Sequence, residues 1–499
     1  MPQDLNDVNP TPESRLDEEI RRRKRKVDLA TKKGINPWGD RYDTTSTALE
    51  ISSKCDEMAG ETVSIAGRLM AFRGHGKATF ADLRDRTGRI QLHARLDLLG
   101  EEDYRNFGDI LDIGDIIGVR GKVFRTKRGE PTVEVHQWTM LAKSLRPLPE
   151  KWHGLTDVDL RYRQRYLDLI VNPEVQDTFV KRTKTISYIR KYLDQRGFLE
   201  VQTPVLQTIA GGANARPFVT HHNALDIDVY MRIATELYLK RLIVGGLERV
   251  YEIGPDFRNE GIDTKHNPEF YMLEVYQAYA DYHDMMNLVE DMVAGCAQEV
   301  LGTTRLTAQG HEVDLTPPWK RLSVWDGIKI YAGISKEDLR DDKDAQELVD
   351  RLGLQLDKGI TKASVIDKLL DQYVEPNLIE PTFLVDYPVE ISPLAKRSTE
   401  DPSMTYRFEP FVLTRELGNA FSELNDPIDQ KERFLQQVRE KAKGDEEAHP
   451  YDEDFITALE YGMPPTGGLG IGIERLVMLL CGIDSIRDVI LFPMMRPKQ

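Results

Sequence analysis

The sequence predicts an α+β protein with an N-terminal β-barrel and a larger C-terminal part of mixed helices and strands. Between about residues 61 and 140, five short β-rich segments follow one another with turn residues between them. From residue 146 to the C-terminus, helical patterns and β-rich runs alternate instead. The chain has 499 residues, which is enough for about two to four domains and a large buried core.

Charge and cysteine content narrow the possible function classes. The chain has 67 Lys and Arg against 83 Asp and Glu, a net charge of −16, so a polyanion would have to meet a local basic patch. Cys55, Cys296 and Cys481 are scattered, which excludes a disulfide framework or a cysteine zinc site and suits a reducing cytosol. With no apolar run of about 18 residues and a polar N-terminus, we expect a soluble cytoplasmic protein without membrane contact.

Residues 1–50 predict a polar tail followed by a basic helix. Ser14 followed by Asp17 resembles a helix start, and the helix could continue to Gly34. Residues 21–26 are consecutive basic residues. Such a run is usually a solvated helix face, but in an acidic chain it is also a place where a nucleic-acid backbone could bind.

Residues 51–145 contain the predicted barrel. Its segments are VSIAGRLMAF, ATFADLRD, GRIQLHARL, IIGVRGKVFRT and PTVEVHQWTML, with a helical insertion at about 97–107. Strands of this kind suggest a small Greek-key barrel, the OB-fold, whose open face binds single-stranded nucleic acid. Strand alternation places Arg68, Phe80 and Gln91 among the candidates for that face, although Phe80 could equally be a core ring.

A linker, a short helix and a long amphipathic helix follow the barrel. Asn172 and Pro173 supply a helix cap and a first-turn proline, and Gly197 ends the helix. FLEVQTPVL then predicts a strand that ends near Pro204. Further on, Glu236 begins an apolar helix, where a carboxylate could simply offset the helix dipole.

Residues 251–282 predict two strands joined by a long polar loop. Gly254-Pro255 interrupts the first β-prone run, Arg258 follows, and the second run contains Phe270 and Glu274. Arginine offers a planar fork for a phosphate or carboxylate, and a ring offers a face for a base. The same residues could also be surface charges of an ordinary hairpin.

The C-terminal stretches carry two further patterns. Glu409 and Glu416 are seven residues apart, so they can meet one ion only if a turn or bulge intervenes near Leu413-Thr414. GLGIGIERL is a glycine-rich entry into a helix with Arg475 in its first turn. Without a βαβ unit and an acidic partner downstream, it is not a dinucleotide-binding site. Residues 301–393 are mixed, largely helical, and carry no motif that we can assign.

The pattern FRNEG…HNPEF…E.Y.AY resembles motif 2 of the class II aminoacyl-tRNA synthetases. Its sequence is most similar to that of the lysine-specific members. The resemblance extends over nearly the whole chain. The helix and strand over 177–205 are similar to motif 1, which builds the family's dimer interface, and 467–480 to motif 3. The resemblance implies a catalytic domain over 146–499 that consists of an antiparallel sheet flanked by helices. Motif 2 would lie at 250–280, and an insertion would occupy 301–393. The barrel would then bind the anticodon.

The resemblance implies an ATP site with two catalytic arginines. Arg258 would bind the α-phosphate, and Arg475 would lie near the adenine and the γ-phosphate. Two carboxylates and the phosphates of ATP would hold Mg²⁺, since this hard ion takes few protein ligands; the metal ligands are Glu409 and Glu416. The implied ATP-binding residues are Arg258, Glu260, His266, Phe270, Glu409, Glu416 and Arg475.

The resemblance also implies sites for L-lysine and for lysine tRNA, on a homodimer. The lysine-binding residues would be Gly212, Glu236, Arg258, Glu274, Tyr276, Asn419, Phe421 and Glu423. The anticodon-binding residues would be Arg68, Arg73, Phe80, Gln91 and Glu130.

Three alternatives remain beside this interpretation. One is an aspartate/asparagine-type class II synthetase, but an aspartate-specific enzyme would want a cation in the amino-acid pocket, whereas Glu236 and Glu423 are acidic. A lysylating relative that acts on a non-tRNA acceptor would lack the barrel or would carry membrane spans. A catalytically inactive binding paralogue would lack residues such as Arg258 and Arg475, which are present.

Overall fold

The computed structural model describes residues 12–149, 155–213, 215–356, 359–442 and 451–497. The chain divides into two compact units, Met1–Leu155 and Thr156–Gln499. Among the described residues, none of the helices combines the length and apolarity that a bilayer crossing requires.

The first unit is a helix followed by a closed β-barrel. Within residues 12–149 its helices are α1 (Pro12–Lys32), α2 (Ala48–Ser53), α3 (Leu96–Leu99) and α4 (Glu101–Ile110). Its strands are β1 (Thr62–His75), β2 (Ala78–Arg84), β3 (Arg89–Arg95), β4 (Ile116–Arg125) and β5 (Pro131–Ala142). They close in the order β1-β2-β3-β5-β4, with β1 paired to β4. The predicted barrel and its helical insertion are therefore confirmed.

Alternate residues of each strand fill the barrel. Val63, Ile65, Leu92, Val119 and Val133 are 3 % exposed or less. Their neighbours in sequence point outward, as the period of two in a β-strand requires. The same period in the sequence is what made the barrel predictable.

The basic run of α1 is only partly available to a partner. Arg23 is buried, and its Nη1 donates to main-chain carbonyls of the barrel unit. Lys26 Nζ and Arg22 Nη2 both bind Asp112 Oδ1, at 2.9 and 2.8 Å. The exposed members of the run are Arg21, Lys24 and Arg25. Because a helix turns by about 100° per residue, consecutive residues cannot all face one partner.

The second unit is a large sheet flanked by helices. Its helices are α5 (Val158–Arg163), α6 (Arg165–Val171), α7 (Pro173–Asp194), α8 (Glu236–Val244), α9 (Tyr282–Leu301), α10 (Val324–Ala332), α11 (Asp342–Leu352), α12 (Lys362–Leu369), α13 (Pro427–Ala442), α14 (Glu453–Glu460) and α15 (Ile473–Cys481). Its first strands are β6 (Leu199–Glu200), β7 (Leu206–Gln207), β8 (Val219–His222), β9 (Ile227–Met231), β10 (Arg249–Phe257) and β11 (Glu269–Ala278). The later ones are β12 (Arg305–Ala308), β13 (His311–Asp314), β14 (Lys320–Ser323), β15 (Thr382–Val385), β16 (Arg407–Val412), β17 (Arg415–Glu416), β18 (Gly418–Ser422) and β19 (Thr466–Gly472).

The main sheet has the strand order β14-β15-β16-β18-β19-β11-β10-β6, and β17 pairs with β16. From β15 to β10 all neighbours are antiparallel, as predicted. At each edge the outermost pair is parallel: β14 with β15, and β10 with β6. Strands β7, β9 and β8 form a small sheet of their own, and β12 pairs with β13.

Helices α7, α9 and α15 contribute to the main apolar core against this sheet. Ile189, Leu193, Val293, Leu476 and Ile471 are all fully buried there. Ile189 and Leu193 are four residues apart on α7, the helical spacing expected of the amphipathic helix that the sequence predicts there. Leu273 and Val275 of β11 and Leu469 and Ile471 of β19 belong to the same core, so the packing holds these two strands against the helices.

Three local expectations are wrong. Asn172 does not cap α7 with its side chain, because its Nδ2 donates instead to Asp168 Oδ1 at 2.6 Å. The strand expected to end near Pro204 is shorter and comprises only β6, because the main chain and side chain of Thr203 bind the Glu252 carboxylate instead.

The third concerns Gly254-Pro255, which does not interrupt β10. β6 pairs only with Val250 and Tyr251, so β10 has no strand on that side at Pro255, and a missing N–H is tolerated. Within the segment 301–393, strands β14 and β15 extend the main sheet, beside helices α10, α11 and α12. Strands of only four residues leave too weak a periodic pattern to be recognised.

Candidate active site

A cavity of about 360 Å³ is lined by the central strands of the main sheet and by the first turns of α8 and α15. It brings together every residue of the second unit that the sequence analysis selected. These are Gly212, Glu236, Arg258, Glu260, His266, Phe270, Glu274, Tyr276, Glu409, Glu416, Asn419, Phe421, Glu423 and Arg475. They come from distant stretches of the chain, so their meeting is a result of the fold.

One part of the cavity, which we call the carboxylate end, contains Glu236, Glu274 and Glu423. Glu236 begins α8 and Glu423 follows β18, and they are 7 % and 1 % exposed. The fully buried Lys240, one turn after Glu236, has its Nζ 2.5 Å from Glu236 Oε1 and forms an ion pair with Glu423. Burial raises the pKa of both carboxyl groups, and the ammonium of Lys240 opposes that rise.

Strand β11 supplies the third carboxyl group and a tyrosine. Tyr276 Oη donates to Glu274 Oε2 at 2.9 Å. Burial raises the pKa of Glu274 to about 8, with further contributions from the negative charges of Asp256 and Glu236. The carboxylate end therefore holds more potential negative than positive charge, which favours a cationic ligand.

Two glycines keep this end open. A Cβ at position 468 would lie 1.8 Å from Glu423 Oε1, so only glycine fits there. Gly212 has φ +93°, a conformation that L side chains rarely adopt, and its backbone passes close to Ala234 and Glu236.

The other part of the cavity, the arginine end, contains Arg258 and Arg475. The guanidinium of Arg258 lies 5.1 Å from the centroid of the Phe270 ring. Arg475 Nη1 donates to Glu416 Oε2 at 2.9 Å, and this carboxylate holds the pKa of Arg475 above its ordinary value. Two arginines beside an aromatic face can bind the phosphates and base of a nucleotide.

A tight turn brings Glu409 and Glu416 to the same face. Leu413 and Thr414 have φ of 53° and 61°, and the turn pairs Phe411 with Glu416. Since Glu409 precedes Phe411 by two residues, both carboxyl groups point to one side of the sheet. The turn that the sequence analysis required near Leu413-Thr414 is therefore present.

The surroundings of these two carboxyl groups fit a hard cation. Burial and the charge of Glu416 raise the pKa of Glu409, and burial and both glutamates raise that of Glu375 to about 7. Mutual repulsion and oxygen donors are the conditions under which Mg²⁺ binds. Among the described residues no group of three or more His, Cys, Asp or Glu side chains could hold a metal, so ligand phosphates would have to complete the coordination.

Arg407 connects the two ends of the cavity. Its Nε donates to Asn419 Oδ1 at 2.9 Å and its Nη2 to Glu409 Oε1 at 2.6 Å. Tyr387 Oη donates to the other oxygen of Glu409 at 2.7 Å, and the Arg407 guanidinium lies over the Tyr387 ring. Glu409 is therefore held in one orientation.

His266 and Glu260 lie at the exposed rim, in the loop between β10 and β11. His266 Nδ1 is 2.9 Å from Asp263 Oδ2, and the main-chain N–H groups of Lys265 and His266 also bind Asp263. The loop is thus ordered around one carboxylate and presents its side chains toward the arginine end.

The barrel carries a second polar and aromatic surface, on the outer face of β2 and β3. Phe80 and His93 stack with centroids 4.4 Å apart, and Phe124 lies beyond His93 at 5.9 Å. Phe80 is partly exposed and is not a member of the barrel core. A base could stack on such a ring.

The other predicted barrel residues make contacts of their own within the first unit. Arg73 and Arg89 both contact Asp82, and Arg89 also reaches Glu130 at 3.4 Å. Gln91 Oε1 accepts a hydrogen bond from Thr132. Arg68 shares the outer face through its pairing with Arg84, but its Nη1 donates to the Gly114 carbonyl at 2.7 Å.

Lys240, Arg407 and His93 are site residues that the sequence analysis missed. Each has a local signal: Lys240 lies four residues after Glu236 on one helix, and Arg407 lies two before Glu409 on one strand. His93 is the direct cross-strand partner of Phe80. Such spacing indicates a neighbour only after a first site residue is known.

Two family models match the chain. The one described as tRNA synthetases class II (D, K and N) matches residues 157–496, and the one described as OB-fold nucleic acid binding domain matches residues 63–141. The first match contains the whole cavity, and the second contains the Phe80 surface.

The chain is also similar over nearly its full length to proteins named lysine–tRNA ligase. It is 63% identical over 466 residues to one from Moorella thermoacetica, covering 93% of this chain and 95% of the relative. It is 59% identical over 484 residues to one from Thermoanaerobacter sp., covering 97% of both chains. The match to one from Pelotomaculum thermopropionicum is 59% over 489 residues, covering 98% and 96%.

Proposed function

Because the chain belongs to the class II tRNA synthetases of the D, K and N group, we propose that it is a lysine–tRNA ligase. It activates L-lysine with ATP, releases pyrophosphate, and transfers lysine to the 3′ end of lysine tRNA. The carboxylate end of the cavity determines the specificity for lysine. Buried carboxylates bind an ammonium and repel the side chain of aspartate, so this end suits lysine.

The first step joins two anions, and the protein aligns and neutralises them. A carboxylate oxygen of lysine attacks the α-phosphorus of ATP, and the bond to the β-phosphate oxygen breaks as pyrophosphate leaves. The lysine carboxylate is already ionised at neutral pH, so no general base is needed. Positive side chains around the α-phosphate stabilise the charge that builds up in the transition state.

Each predicted residue has a role in that alignment. Arg258 binds the α-phosphate with its planar fork, and Arg475 lies toward the adenine and the γ-phosphate. Phe270 stacks on one face of the adenine, with Arg475 on the other. His266 lies near the outer phosphates, and Glu260 holds the α-amino side or the adenine edge.

The lysine substrate occupies the carboxylate end. Glu236 and Glu423 face its side-chain ammonium, and Glu274 lies near its α-amino group. Gly212, Tyr276, Asn419 and Phe421 complete the walls. Glu409 and Glu416 would hold Mg²⁺ together with phosphate oxygens, and a bound ion would supply positive charge at the phosphates.

The second step uses tRNA, which the barrel binds by its anticodon. The terminal ribose hydroxyl attacks the carbonyl of the lysyl-adenylate, and AMP leaves. Arg68, Arg73, Phe80, Gln91 and Glu130 form the anticodon surface, with the stacked rings as its centre. The protein works as a homodimer through α7 and in the cytoplasm, and its three free cysteines suit that reducing compartment.

ATP–pyrophosphate exchange tests this proposal. Exchange should require lysine, and aspartate and asparagine should not support it; adding lysine tRNA should then give charged tRNA. Exchange with aspartate or asparagine instead of lysine would overturn the substrate. Exchange with lysine but no transfer to tRNA would indicate another acceptor.

A further inference from the structure

Arg407 of β16 lies between the two ends of the cavity, and all three of its guanidinium nitrogen atoms are engaged. Nε donates to Asn419 Oδ1 at 2.9 Å, and Nη2 donates to Glu409 Oε1 at 2.6 Å. Nη1 donates to the Ile391 carbonyl at 2.5 Å and to Ser392 Oγ at 3.2 Å. The side chain is 15 % exposed. A planar fork that is held in several directions cannot turn, so Arg407 is a rigid part of the cavity wall.

The sheet places the two cavity partners of Arg407 on one face. Arg407 is the cross-strand partner of Phe421 on β18. Asn419 is two residues before Phe421, and Glu409 is two residues after Arg407, so the period of two turns all four side chains toward the cavity. Asn419 is assigned to the lysine site and Glu409 to the site for ATP and its metal ion. Arg407 therefore links the two substrate sites by direct hydrogen bonds.

The bond from Arg407 decides which group Asn419 presents to a ligand. A guanidinium has donors and no acceptor, so the amide atom that it contacts must be the oxygen. The NH₂ group then lies on the other side of the amide, and among the described residues it donates to no protein acceptor. Because Asn419 lines the cavity, this NH₂ group is a donor for a ligand oxygen. Without Arg407 the amide could flip and present its oxygen instead.

The second bond of Arg407 orients the Glu409 carboxylate, together with Tyr387. Tyr387 Oη donates to Glu409 Oε2 at 2.7 Å, whereas Arg407 donates to Oε1. The Tyr387 ring also lies against the guanidinium, with its centroid 4.4 Å from Cζ. Donors on both oxygens prevent the carboxyl group from rotating, and each oxygen keeps a lone pair for another ligand. Arg407 thus sets the direction of one group at each end of the cavity.

Resting on the proposed function, we propose that Arg407 is a positioning residue that aligns the lysine carboxylate with the phosphates of ATP. It turns the Asn419 NH₂ group toward the lysine carboxylate and holds Glu409 in its orientation. Arg407 acts through these two side chains, because its own nitrogen atoms already donate to protein acceptors. Adenylate formation depends on this alignment, since a misplacement of about 1 Å can reduce a rate by about 10²-fold.

Arg407→Met tests this with a rate and a binding constant. The kcat of lysine-dependent pyrophosphate exchange should fall about 10²-fold, because the two substrates lose their alignment. In calorimetry without ATP and Mg²⁺, the Kd for lysine should rise about tenfold or more, because the Asn419 donor is no longer fixed. Arg407→Lys keeps the charge but not the fork, so it should restore neither value. Values within about threefold of wild type in either variant would overturn the proposal.

Arg165→Met is the matched control. Arg165 is also a buried arginine of the second unit that pairs with one carboxylate, Asp168, and donates to main-chain carbonyls, those of Leu491 and Arg487. It is not a residue of the cavity wall. The control should lower the melting temperature and leave both kcat and the lysine Kd unchanged. The same pattern in Arg407→Met would identify a structural residue and overturn the proposal, whereas a wild type without lysine-dependent exchange would overturn the proposed function.

Substitutions of Asn419 keep the test decisive if Arg407→Met folds poorly. Asn419→Asp retains an oxygen for Arg407 but replaces the NH₂ group by a second acceptor, which repels the lysine carboxylate. It should therefore raise the Kd for lysine more than Asn419→Ala does, although aspartate is closer to asparagine in shape. A lysine Kd of Asn419→Asp within about threefold of wild type would show that the amide presents its oxygen to the ligand, and would overturn the proposal.

Discussion

At the scale of single residues, buried charge sets the properties of the cavity. Arg258 and Arg475 supply positive charge at one end, and Glu236 and Glu423 supply negative charge at the other. The two buried glutamates are paired with Lys240, and the half-buried Arg475 is paired with Glu416. A change in one of them should therefore act on a particular substrate or step.

Replacing Arg258 by Ala should reduce adenylate formation by about 10²- to 10³-fold in kcat, because the α-phosphate loses a preorganised donor. Arg258→Lys should restore little, since a point charge cannot reproduce the bidentate geometry. Lysine-dependent pyrophosphate exchange measures both variants. Exchange near the wild-type rate in either one would contradict the role of Arg258.

Replacing Phe80 by Ala should weaken tRNA binding by about 1–3 kcal/mol, the contribution of one stacked base. Lysine-dependent exchange should be unchanged, because that step uses no tRNA. Aminoacylation at varied tRNA concentration, beside exchange and thermal melting, measures the effect. A lower melting temperature with both reactions impaired would instead identify Phe80 as a structural residue.

At the scale of secondary-structure elements, Glu474 joins the three parts of the chain that resemble the family motifs. Its Oε1 accepts from Arg182 of α7 at 2.7 Å, and its Oε2 accepts from the Tyr271 N–H of β11 at 3.0 Å. It precedes Arg475 on α15 and is 2 % exposed. One buried carboxylate thus sets the position of α15 against the strand that carries Phe270.

Replacing Glu474 by Gln should destabilise the second unit by about 3 kcal/mol. The new amide would bring an NH₂ group against a donor, because both partners of the carboxylate donate hydrogen bonds. Chemical unfolding measures the loss, with the exposed Glu432→Gln as control. Equal stability of the two variants would show that the contacts of Glu474 contribute little.

Elements with a strong local pattern were predictable, and those defined by distant partners were not. Barrel strands such as β3 alternate clearly enough to be recognised from residues alone, whereas β11 is a β-rich run without regular alternation. β14 and β15 are defined by pairing partners far away in sequence, and Pro255 is tolerated only because β6 is short. The cavity residues followed from motif resemblance, whereas Lys240 follows from three-dimensional packing.

At the scale of the whole molecule, the two units differ in how their stability should depend on pH. In the second unit, burial is the main cause that raises the pKa of Asp256 to about 7 and that of Glu274 to about 8. In the first unit hydrogen bonds from arginines lower the pKa of Glu19 to about 2, and basic partners likewise lower that of Asp112 to about 2 against the effect of burial.

These opposite shifts predict opposite pH windows. Above their ordinary pKa, the carboxyl groups of the second unit bind more protons folded than unfolded, so its free energy of unfolding should fall as pH rises from about 5 to 8. The slope is about 1.4 kcal/mol per pH unit for each such group. The lowered groups of the first unit are ionised in both states over this range, and their contribution is lost only below about pH 4.

Calorimetry of the ligand-free protein from pH 5 to 8 measures both behaviours. The transition of the second unit should move to lower temperature as pH rises, and Asp256→Asn should reduce that movement. A transition of the second unit that stays constant, or rises, across this range would contradict the buried protonated carboxyl groups.

The ion triad of Lys240, Glu236 and Glu423 also bears on how amino-acid specificity could evolve. A pocket that binds an acidic amino acid would need positive charge in place of the negative charge of Glu236 and Glu423. Loss of Lys240 leaves two buried carboxylates without their cation, and loss of either glutamate removes negative charge from the pocket, so each one-step mutant loses stability or lysine binding before it gains a new substrate. The mutational route between lysine and aspartate specificity therefore passes through intermediates of low fitness. This barrier protects the assignment of lysine codons against drift.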